Sequence, residues 1–424
     1  MNTRNPKVII AQLGARLHYA VPVILQRSGM LAHFYTDAYA GKGSAGYLLG
    51  KAAALLPEGC RPAALQRVWE RREDLLPAEK VTAFNRFGFA LVRAQKRARN
   101  ATEREKVFLT YGQRFCELVE KNHPKPGDAV YAFECAALNL FQWANRNNQS
   151  KILDQPIAPM RIQAQLLREE HDFWPGWEEP YPGTSVWQPR IELESQEWQA
   201  ADAIVCGSDF VARGLASLGV PLEKIRVVPY GVEPSRFASS RAPYDGRRPL
   251  RVLFVGGVSL RKGPQYLLQA LGELNSTKVV TRLVGPLALR EPYRRRWQTR
   301  VELTGQVSRT GVRRHYEWAD VFVFPSICEG SAMVTYEALT AGLPVITTPN
   351  AGSVVRDGVD GFIVPIREAE TIADRLEKLA RNPGLLRDMS QRASERAEEY
   401  TWERWRERLV PVISQICRSG KSHL

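Results

Sequence analysis

The clearest hydrophobic pattern in the chain is a strand, a loop, a helix and a second strand in close succession. Residues Val321–Phe324 form a short, almost wholly apolar run, as expected for a strand buried on both faces of a parallel sheet. Residues 332–341 have a helical composition, Gly342 ends the helix, and a second apolar run follows at Val345–Thr347. The pattern predicts one βαβ unit whose loop lies at the carboxyl end of a strand, where open α/β sheets bind ligands.

Further apolar runs on both sides of this unit predict an α/β protein with two doubly wound, Rossmann-like domains, at residues 1–238 and 248–400. Residues 235–249 contain serines, prolines, a glycine and paired arginines, which are typical of a linker. A length of 424 residues also exceeds one ordinary core. Residues 52–107 are predicted to be helical. The predicted strands are residues 7–13, 31–39, 129–134, 151–154, 203–205 and 225–228, then 250–255, 282–285, 301–304, 321–324, 345–347 and 361–365.

Composition places the chain among soluble globular proteins, with 44% apolar and 25% charged residues. Its six cysteines are scattered without a C-x-x-C pair, which argues against a zinc site or a disulfide framework and favours a reducing compartment. No apolar run approaches the roughly 18 residues that span a bilayer, and the amino terminus lacks the apolar segment of a signal peptide. These features predict a cytoplasmic protein.

The formal net charge of +14 is compatible with phosphate-bearing ligands, an anionic membrane or nucleic acid. No recognised nucleic-acid motif accompanies it, so we expect no nucleic-acid partner. Residues 86–106 mix basic and apolar side chains, which predicts a basic amphipathic helix. Such a helix can lie peripherally on the inner face of a membrane, or it can pack on the core with a solvated basic face. Its basic residues include Arg93, Lys96, Arg97, Arg99 and Arg104.

Two carboxylates frame the loop of the βαβ unit. Glu329 lies in the loop, and Glu337 lies eight positions on, inside the helix. The helix amino terminus offers N–H groups to an anion, so the carboxylates would face something else, such as the hydroxyl groups of a sugar or a ribose. The alternative is that Glu337 is a solvated helix residue and Glu329 a loop charge.

Further motifs accompany these glutamates in order along the chain. They are Ala201-Asp202-Ala203-Ile204-Val205 with Ser208, Pro229-Tyr230-Gly231-Val232, Phe254-Val255-Gly256-Gly257, Arg261-Lys262-Gly263, Leu283-Val284-Gly285, Pro325-Ser326 before Glu329-Gly330, Glu337-Ala338, Ala341-Gly342-Leu343-Pro344-Val345-Ile346 and Asp357-Gly358-Val359-Asp360-Gly361-Phe362. Together they closely resemble the carboxyl-terminal motif of retaining glycosyltransferases of family 4, a GT-B-fold family with glycogen-synthase-like and mannosyltransferase-like members. That family carries two glutamates separated by seven residues, as Glu329 and Glu337 are. The resemblance covers residues 200–410 well and the first 200 residues poorly.

The resemblance implies a nucleotide-diphosphate-sugar donor in the second domain and a glycan or lipid-linked acceptor in the first, with a terminal helix, 402–424, crossing back to the first domain. By resemblance, Glu329 binds donor-sugar hydroxyls, Glu337 binds the ribose, and Arg261 and Lys262 stabilise the departing diphosphate. The resemblance also implies front-face displacement with retention of configuration. No aspartate pair has metal-binding spacing, so we expect no metal site, no obligatory divalent cation and no cofactor besides the donor. The remaining predicted donor-binding residues are Gly14, Gly256, Gly330, Ser331, Ala332, Met333 and Val334.

The chain departs from the family pattern in its first half. A catalytically important histidine often follows a strand near residue 154, but this chain has Asp154-Gln155-Pro156. His171 and His18 are possible substitutes, and each has the alternative of being an ordinary surface histidine. The family also often has an arginine at the position of Gly257, which Arg261 would replace. The aromatic segment 173–187 would shape an acceptor pocket or simply pack a long connection.

Two other functions stay open at this point. The missing histidine favours a non-catalytic nucleotide-sugar-binding protein of the same fold that has lost turnover. A dinucleotide-dependent oxidoreductase needs a G-x-G-x-x-G turn after the first strand, which Gly14 alone does not supply. The donor sugar, its base and the acceptor are not determined by these patterns.

Overall fold

The computed structural model describes residues 5–42, 44–55, 70–122, 124, 127–238, 242–274 and 279–419. Within these residues the strands form two parallel sheets, one of seven strands and one of six. The predicted fold class, two doubly wound α/β domains, is confirmed.

The first sheet has the strand order β3-β2-β1-β4-β5-β6-β7, and its centre is apolar and buried. All five residues of β1 and of β4 are buried, because helices cover both faces of a doubly wound sheet. The strands are β1 (Val8–Gln12), β2 (Leu31–Thr36), β3 (Val81–Ala83), β4 (Ala129–Phe133), β5 (Ser150–Gln155), β6 (Ala203–Cys206) and β7 (Ile225–Val227).

The second sheet has the strand order β10-β9-β8-β11-β12-β13. The predicted strands at β8, β11 and β12 have the observed bounds, because their apolar runs are short and are bounded by glycine or proline. The strands are β8 (Leu250–Val255), β9 (Val279–Val284), β10 (Glu302–Gly305), β11 (Val321–Phe324), β12 (Val345–Thr347) and β13 (Gly361–Ile363).

Helices alternate with these strands, as parallel sheets require. In the first domain the described helices are α1 (Ala20–Arg27), α2 (Ala45–Ala54), α3 (Asn85–Arg97), α4 (Ala101–Lys121), α5 (Leu138–Arg146), α6 (Met160–Phe173), α7 (Gln188–Ala200) and α8 (Asp209–Ser217). The later helices are α9 (Pro264–Glu273), α10 (Glu291–Trp297), α11 (Arg313–Trp318), α12 (Met333–Thr340), α13 (Ala369–Arg381), α14 (Pro383–Glu398) and α15 (Trp402–Ser419).

The prediction that residues 52–107 are helical throughout is wrong. The edge strand β3 lies inside this segment and pairs in parallel with β2. Its three half-buried residues are too few to give a recognisable apolar alternation. Residues 56–69 of the same prediction lie outside the described residues.

The last helix returns from the second sheet to the first. α15 packs against α1 and β5, and its Trp405 is buried beside the ring of Tyr230 at a centroid distance of 5.0 Å. The two domains are thus joined both by the linker and by this helix.

Candidate active site

The first part of the site is a short 3₁₀ turn after β8, Leu260–Lys262, which we call the cation turn. Gly263 follows with a φ of +75°, and a Cβ atom there would lie 1.9 Å from the backbone oxygen of Pro325. Glycine alone tolerates both the positive φ and this close approach. On the other side, the backbone oxygen of Arg261 accepts a hydrogen bond from the N–H of Ile327 (3.0 Å). The loops after β8 and β11 therefore form one unit.

Glu329, Arg261 and Lys262, the three residues predicted to be catalytic, meet in this unit. The Arg261 guanidinium lies 2.8 Å from Glu329 Oε1, and Lys262 Nζ pairs with the same oxygen. Burial lowers the pKa of Lys262, and the attraction of Glu329 opposes that shift. Two cations and one carboxylate leave a positive charge at the carboxyl ends of β8 and β11. This arrangement can bind an anion by charge-assisted hydrogen bonds.

Glu337 lies on α12 and is buried. The Tyr316 hydroxyl, from α11, donates a hydrogen bond to Glu337 Oε2 (2.7 Å). Burial raises the pKa of Glu337, while this hydrogen bond and the nearby Arg309 lower it. The interpretation of Glu337 as a solvated helix residue is wrong, because its side chain faces the protein interior.

The loop before α12 contacts the first domain closely. A Cβ atom on Gly330 would lie 1.7 Å from the backbone oxygen of Pro156, so only glycine fits. The Ser208 hydroxyl donates to the Gly330 backbone oxygen. Ser331 Oγ lies 2.7 Å from the hydroxyl of Tyr336. The loop that carries Glu329 is therefore held by both domains.

The other predicted donor-binding residues have different surroundings. The N–H of Ala332 donates to the backbone oxygen of Ala351 (3.0 Å) and is therefore engaged within the protein. Met333 and Val334 are half-buried and form the first turn of α12. Of the N–H groups at the start of α12 that were predicted to bind an anion, that of Ala332 therefore already has a partner within the protein.

Gly14 lies in the loop after β1, and Gly256 directly follows β8. The N–H of Gly14 donates to Asp37 Oδ1 (2.9 Å), and its φ is +83°. The N–H of Gly256 donates to the backbone oxygen of Val284 (2.8 Å), and its φ is +149°. Next to it, a Cβ on Gly257 would meet no atom within 4 Å. Of these three glycines, Gly257 has open space beside it and no unusual φ.

The carboxyl edge of the first sheet carries charged residues that the sequence analysis did not assign to the site. Arg16, in the loop after β1, lies 2.8 Å from Glu134, which follows β4. Asp154 is the penultimate residue of β5, and its Oδ2 accepts a hydrogen bond from the Tyr131 hydroxyl (2.5 Å). Burial raises the pKa of Asp154 to about 7. An acidic residue at the end of each of two apolar runs was the signal that could have identified Glu134 and Asp154.

His18 and Arg309 belong to different domains and interact electrostatically. Burial, Arg309 and Arg236 lower the pKa of His18 to about 3, so His18 is neutral near pH 7. Leu17, His18 and Tyr19 have φ values of 49°, 55° and 63°, an uncommon conformation for non-glycine residues. Arg309 also acts electrostatically on Glu337 and was missed because its loop has no distinctive motif.

The other candidate histidine, His171, is placed elsewhere. Its Nε2 lies 3.3 Å from Glu178 Oε1, and its ring lies 5.6 Å from that of Tyr181. Its partners are therefore in the segment that follows α6.

The described residues offer neither a cluster of metal ligands nor a membrane-spanning helix. Among them there is no group of three or more His, Cys, Asp or Glu side chains arranged to hold a metal ion. None of the helices in the described part of the chain is long and apolar enough to cross a membrane.

Part of the chain, lying mainly in the second domain, matches a known family of proteins. Residues 249–382 match the family model described as "Glycosyl transferases group 1". The D-inositol 3-phosphate glycosyltransferase of Kribbella flavida is 31% identical over 239 residues, which cover 50% of this chain and 56% of that protein. The chain thus spans just over half the length of this curated relative.

Solved structures resemble the whole chain. Sucrose-phosphate synthase from Thermosynechococcus elongatus has a TM-score of 0.66 at 16% identity, over 98% of this chain and 100% of that one. The Anabaena protein HepE in complex with UDP-glucose has a TM-score of 0.60 at 14% identity, over 97% of this chain and 100% of that one. These likenesses confirm the predicted GT-B fold.

Proposed function

We propose that the protein transfers a sugar from a nucleotide-diphosphate sugar to an acceptor hydroxyl with retention of anomeric configuration. The observation that carries this proposal is the convergence of Arg261 and Lys262 on Glu329, where β8 and β11 end. In an open α/β sheet the crevice beyond the carboxyl ends of the strands is the usual place for a nucleotide.

The two cations suit the most demanding step of this chemistry. When the bond between sugar and diphosphate breaks, negative charge builds on the departing phosphate. Fixed cations in a partly buried site stabilise that charge with little reorganisation. Arg261 and Lys262 would take this role, so that no divalent cation is required. A structure of HepE is described in complex with UDP-glucose, which supports a nucleotide-sugar donor here.

The two glutamates would recognise the uncharged parts of the donor. Glu329 already lies beside the cations, so it would accept hydrogen bonds from sugar hydroxyls next to the diphosphate. Glu337 is held by Tyr316 through one oxygen, which leaves its second oxygen to accept from the ribose. Retention by front-face displacement is proposed from the resemblance of these loops to retaining family 4 enzymes.

The acceptor would bind at the edge of the first sheet, near Arg16, Glu134 and Asp154. A buried carboxyl group with a pKa of about 7 can hold or release a proton near neutral pH. The acceptor would be a glycan or lipid-linked hydroxyl, as in glycan, glycolipid or polysaccharide biosynthesis.

A ligand panel tests the donor site. UDP, GDP and ADP, and their glucose and mannose conjugates, are added to the wild type and to Glu337→Gln, and the melting temperature is recorded. A ligand at about 100 times its dissociation constant adds about 2.7 kcal/mol of stability. We expect one diphosphate to stabilise the wild type clearly and Glu337→Gln less, while the exposed control Glu395→Gln responds like the wild type.

The same panel separates the alternatives. Failure of every diphosphate to bind would contradict the proposal. Binding without sugar transfer or donor hydrolysis would favour the non-catalytic nucleotide-sugar-binding protein. With an active donor, the anomeric configuration of the glycoside product, read by NMR, would decide between retention and inversion.

We also propose that the exposed face of α3 and α4 contacts an anionic membrane. Phe89 is 70% exposed and Val92 is 42% exposed on α3, which is unusual for large apolar side chains in such a basic segment. Aromatic and aliphatic side chains among cations are typical of helices that lie in the lipid interface. The exposed cations are Arg86, Arg93, Lys96, Arg97, Arg99, Arg104 and Lys106.

Vesicle sedimentation tests the membrane contact. The protein is mixed with vesicles of phosphatidylcholine alone or with phosphatidylglycerol added. We expect binding to the anionic vesicles only, and a loss of about thirtyfold for Arg93→Gln with Arg97→Gln, since each cation near the surface contributes about 1 kcal/mol. The control pair is Arg387→Gln with Arg392→Gln, exposed on α14. Equal binding by both variants, or none by the wild type, would contradict a membrane contact through this face.

A further inference from the structure

We infer that Glu178 and Glu170, two residues of the first domain, position the cation turn for the donor diphosphate. The inference rests on the proposed function, because it assigns a diphosphate to Arg261 and Lys262. It adds two positioning residues that lie outside the loops of the second domain and that no sequence motif indicated.

Glu178 holds the first residue of the cation turn directly. Its Oε2 accepts a hydrogen bond from the backbone N–H of Leu260 (3.0 Å). Its Oε1 lies 3.3 Å from His171 Nε2, so the carboxylate is itself oriented by α6. Leu260 is fully buried, and its N–H would lack a partner if this carboxylate were removed.

Glu170 is connected to Leu260 through the side chain of Gln265. It is fully buried, and its Oε2 accepts hydrogen bonds from Gln265 Nε2 (2.8 Å) and from the Tyr266 hydroxyl (2.9 Å). The same Gln265 nitrogen also donates to the backbone oxygen of Leu260 (3.0 Å). Both backbone polar groups of Leu260 are therefore tied to carboxylates of the first domain.

The guanidinium of Arg367 pairs with the other carboxylate oxygen of Glu170. Its Nε donates to Glu170 Oε1 (2.6 Å), and its φ of +70° is uncommon for a residue with a side chain. A sparsely populated backbone conformation persists where its surroundings fix it, and here α6 supplies two carboxylates, Glu169 and Glu170.

The aromatic segment after α6 completes this contact. Trp177 is fully buried, its backbone oxygen accepts from the N–H of Arg290 (2.8 Å), and its ring lies 5.0 Å from that of Tyr293. Trp174 lies 5.8 Å from the ring of Tyr266. The segment thus packs against the second domain and fixes the place of Glu178, the residue that follows Trp177.

The cation turn is consequently held on two sides. The loop after β11 binds it through Arg261 and Glu329, and the first domain binds it through Leu260. Because Arg261 and Lys262 follow Leu260 directly in a turn of three residues, a displacement of Leu260 moves both cations. Electrostatic stabilisation depends on donors being fixed in place, and a displacement of about 1 Å can cost on the order of a hundredfold in rate.

The experiment compares a nucleoside diphosphate with its monophosphate. Dissociation constants of UDP and UMP, GDP and GMP, and ADP and AMP are measured by calorimetry on the wild type, Glu178→Ala, Glu178→Gln and Glu179→Ala. Only the diphosphate extends to the cations proposed to receive the leaving group. A variant with mispositioned cations should therefore bind the diphosphate less tightly and the monophosphate unchanged, whereas a general loss of stability would not change their ratio.

We expect Glu178→Ala to weaken diphosphate binding about tenfold and to lower kcat at saturating donor by at least as much. Glu178→Gln keeps an acceptor oxygen for the Leu260 N–H and should stay within about threefold of the wild type. Glu179→Ala, an exposed neighbour, should behave as the wild type.

The outcomes separate this inference from the proposed function. If the wild type binds no diphosphate better than its monophosphate, both are wrong. If it does, and Glu178→Ala leaves the ratio and kcat unchanged or weakens both ligands equally, only the positioning role is wrong.

Discussion

The carboxyl edges of the two sheets differ in their electrostatic arrangement, although each contains a pair of an arginine and a glutamate. In the second domain the edge presents two cations, Arg261 and Lys262, around a single carboxylate. In the first domain the edge presents buried carboxyl groups, and Asp154 is hydrogen-bonded to the neutral hydroxyl of Tyr131.

This difference in charge shows how two similar parallel sheets can bind chemically different groups. A positive charge at the second edge suits a diphosphate, whose charge increases when the sugar leaves. At the first edge, burial favours the uncharged form of Asp154, which suits an uncharged hydroxyl and a mobile proton. The following predictions test this contrast.

The largest effect is expected when the cation turn loses one of its two positive charges. Lys262→Ala should lower kcat by about 10²–10³, because one fixed donor to a developing anion contributes about that much. Initial rates with the active donor measure the change. The control is Lys121→Ala at the exposed end of α4, which should keep full activity. Near-normal turnover by Lys262→Ala would show that the cation turn does not stabilise the leaving group.

The raised pKa of Asp154, at the edge of the first sheet, should make the stability of the protein depend on pH. Because the pKa of Asp154 is raised to about 7 in the folded protein, its stabilising contribution is full below pH 4 and is lost as the pH rises towards 7 and beyond. Asp154→Asn should therefore gain stability relative to the wild type between pH 4 and pH 8, by up to about 4 kcal/mol, since each pKa unit corresponds to about 1.4 kcal/mol.

Denaturant unfolding at several pH values measures this difference. Glu194 and Glu197, whose pKa values are also raised to about 8, are common to both proteins and cancel in the comparison. The exposed control Asp388→Asn should show no such trend. A constant difference between Asp154→Asn and the wild type would mean that Asp154 is ionised throughout.

A side chain at Gly330 should disrupt the contact between the two domains at Pro156. Gly330→Ala brings a Cβ atom against the backbone oxygen of Pro156, so we expect a loss of about 2 kcal/mol in stability and weaker donor binding. Gly257→Ala is the matched control, because open space surrounds that position. Equal melting temperatures for the two variants would show that the domains do not meet at Gly330.

The smallest effect concerns the orientation of Glu337. Tyr316→Phe removes the hydroxyl that donates to its Oε2 and should weaken donor binding by roughly fivefold. One hydrogen bond to a charged group contributes about 1.5–3 kcal/mol, and only part of this contribution affects ligand binding. The pKa of Glu337 should also rise, so the loss should grow as the pH falls. Calorimetric titration of the donor nucleotide at two pH values measures both effects. Unchanged affinity at both values would separate Tyr316 from the ribose site.

The sequence by itself determined the local units of the second domain. Short apolar runs bounded by glycine and proline predicted β8, β11 and β12 with their observed bounds, because buried parallel strands leave a strong local pattern. The same motifs placed Glu329, Arg261 and Lys262 at strand ends, and the common edge of a parallel sheet brings such ends together. The weak pattern of β3 gave no such signal.

Only the tertiary structure decided which residues of the two domains meet. The contacts of Pro156 with Gly330 and of Glu178 with the Leu260 N–H join positions far apart in the chain, as does the electrostatic effect of Arg309 on His18. These contacts depend on how the two domains pack against each other, whereas periodicity reports only the face that each element buries. Hydrogen bonds and charges across a domain boundary therefore had to be read from the folded molecule.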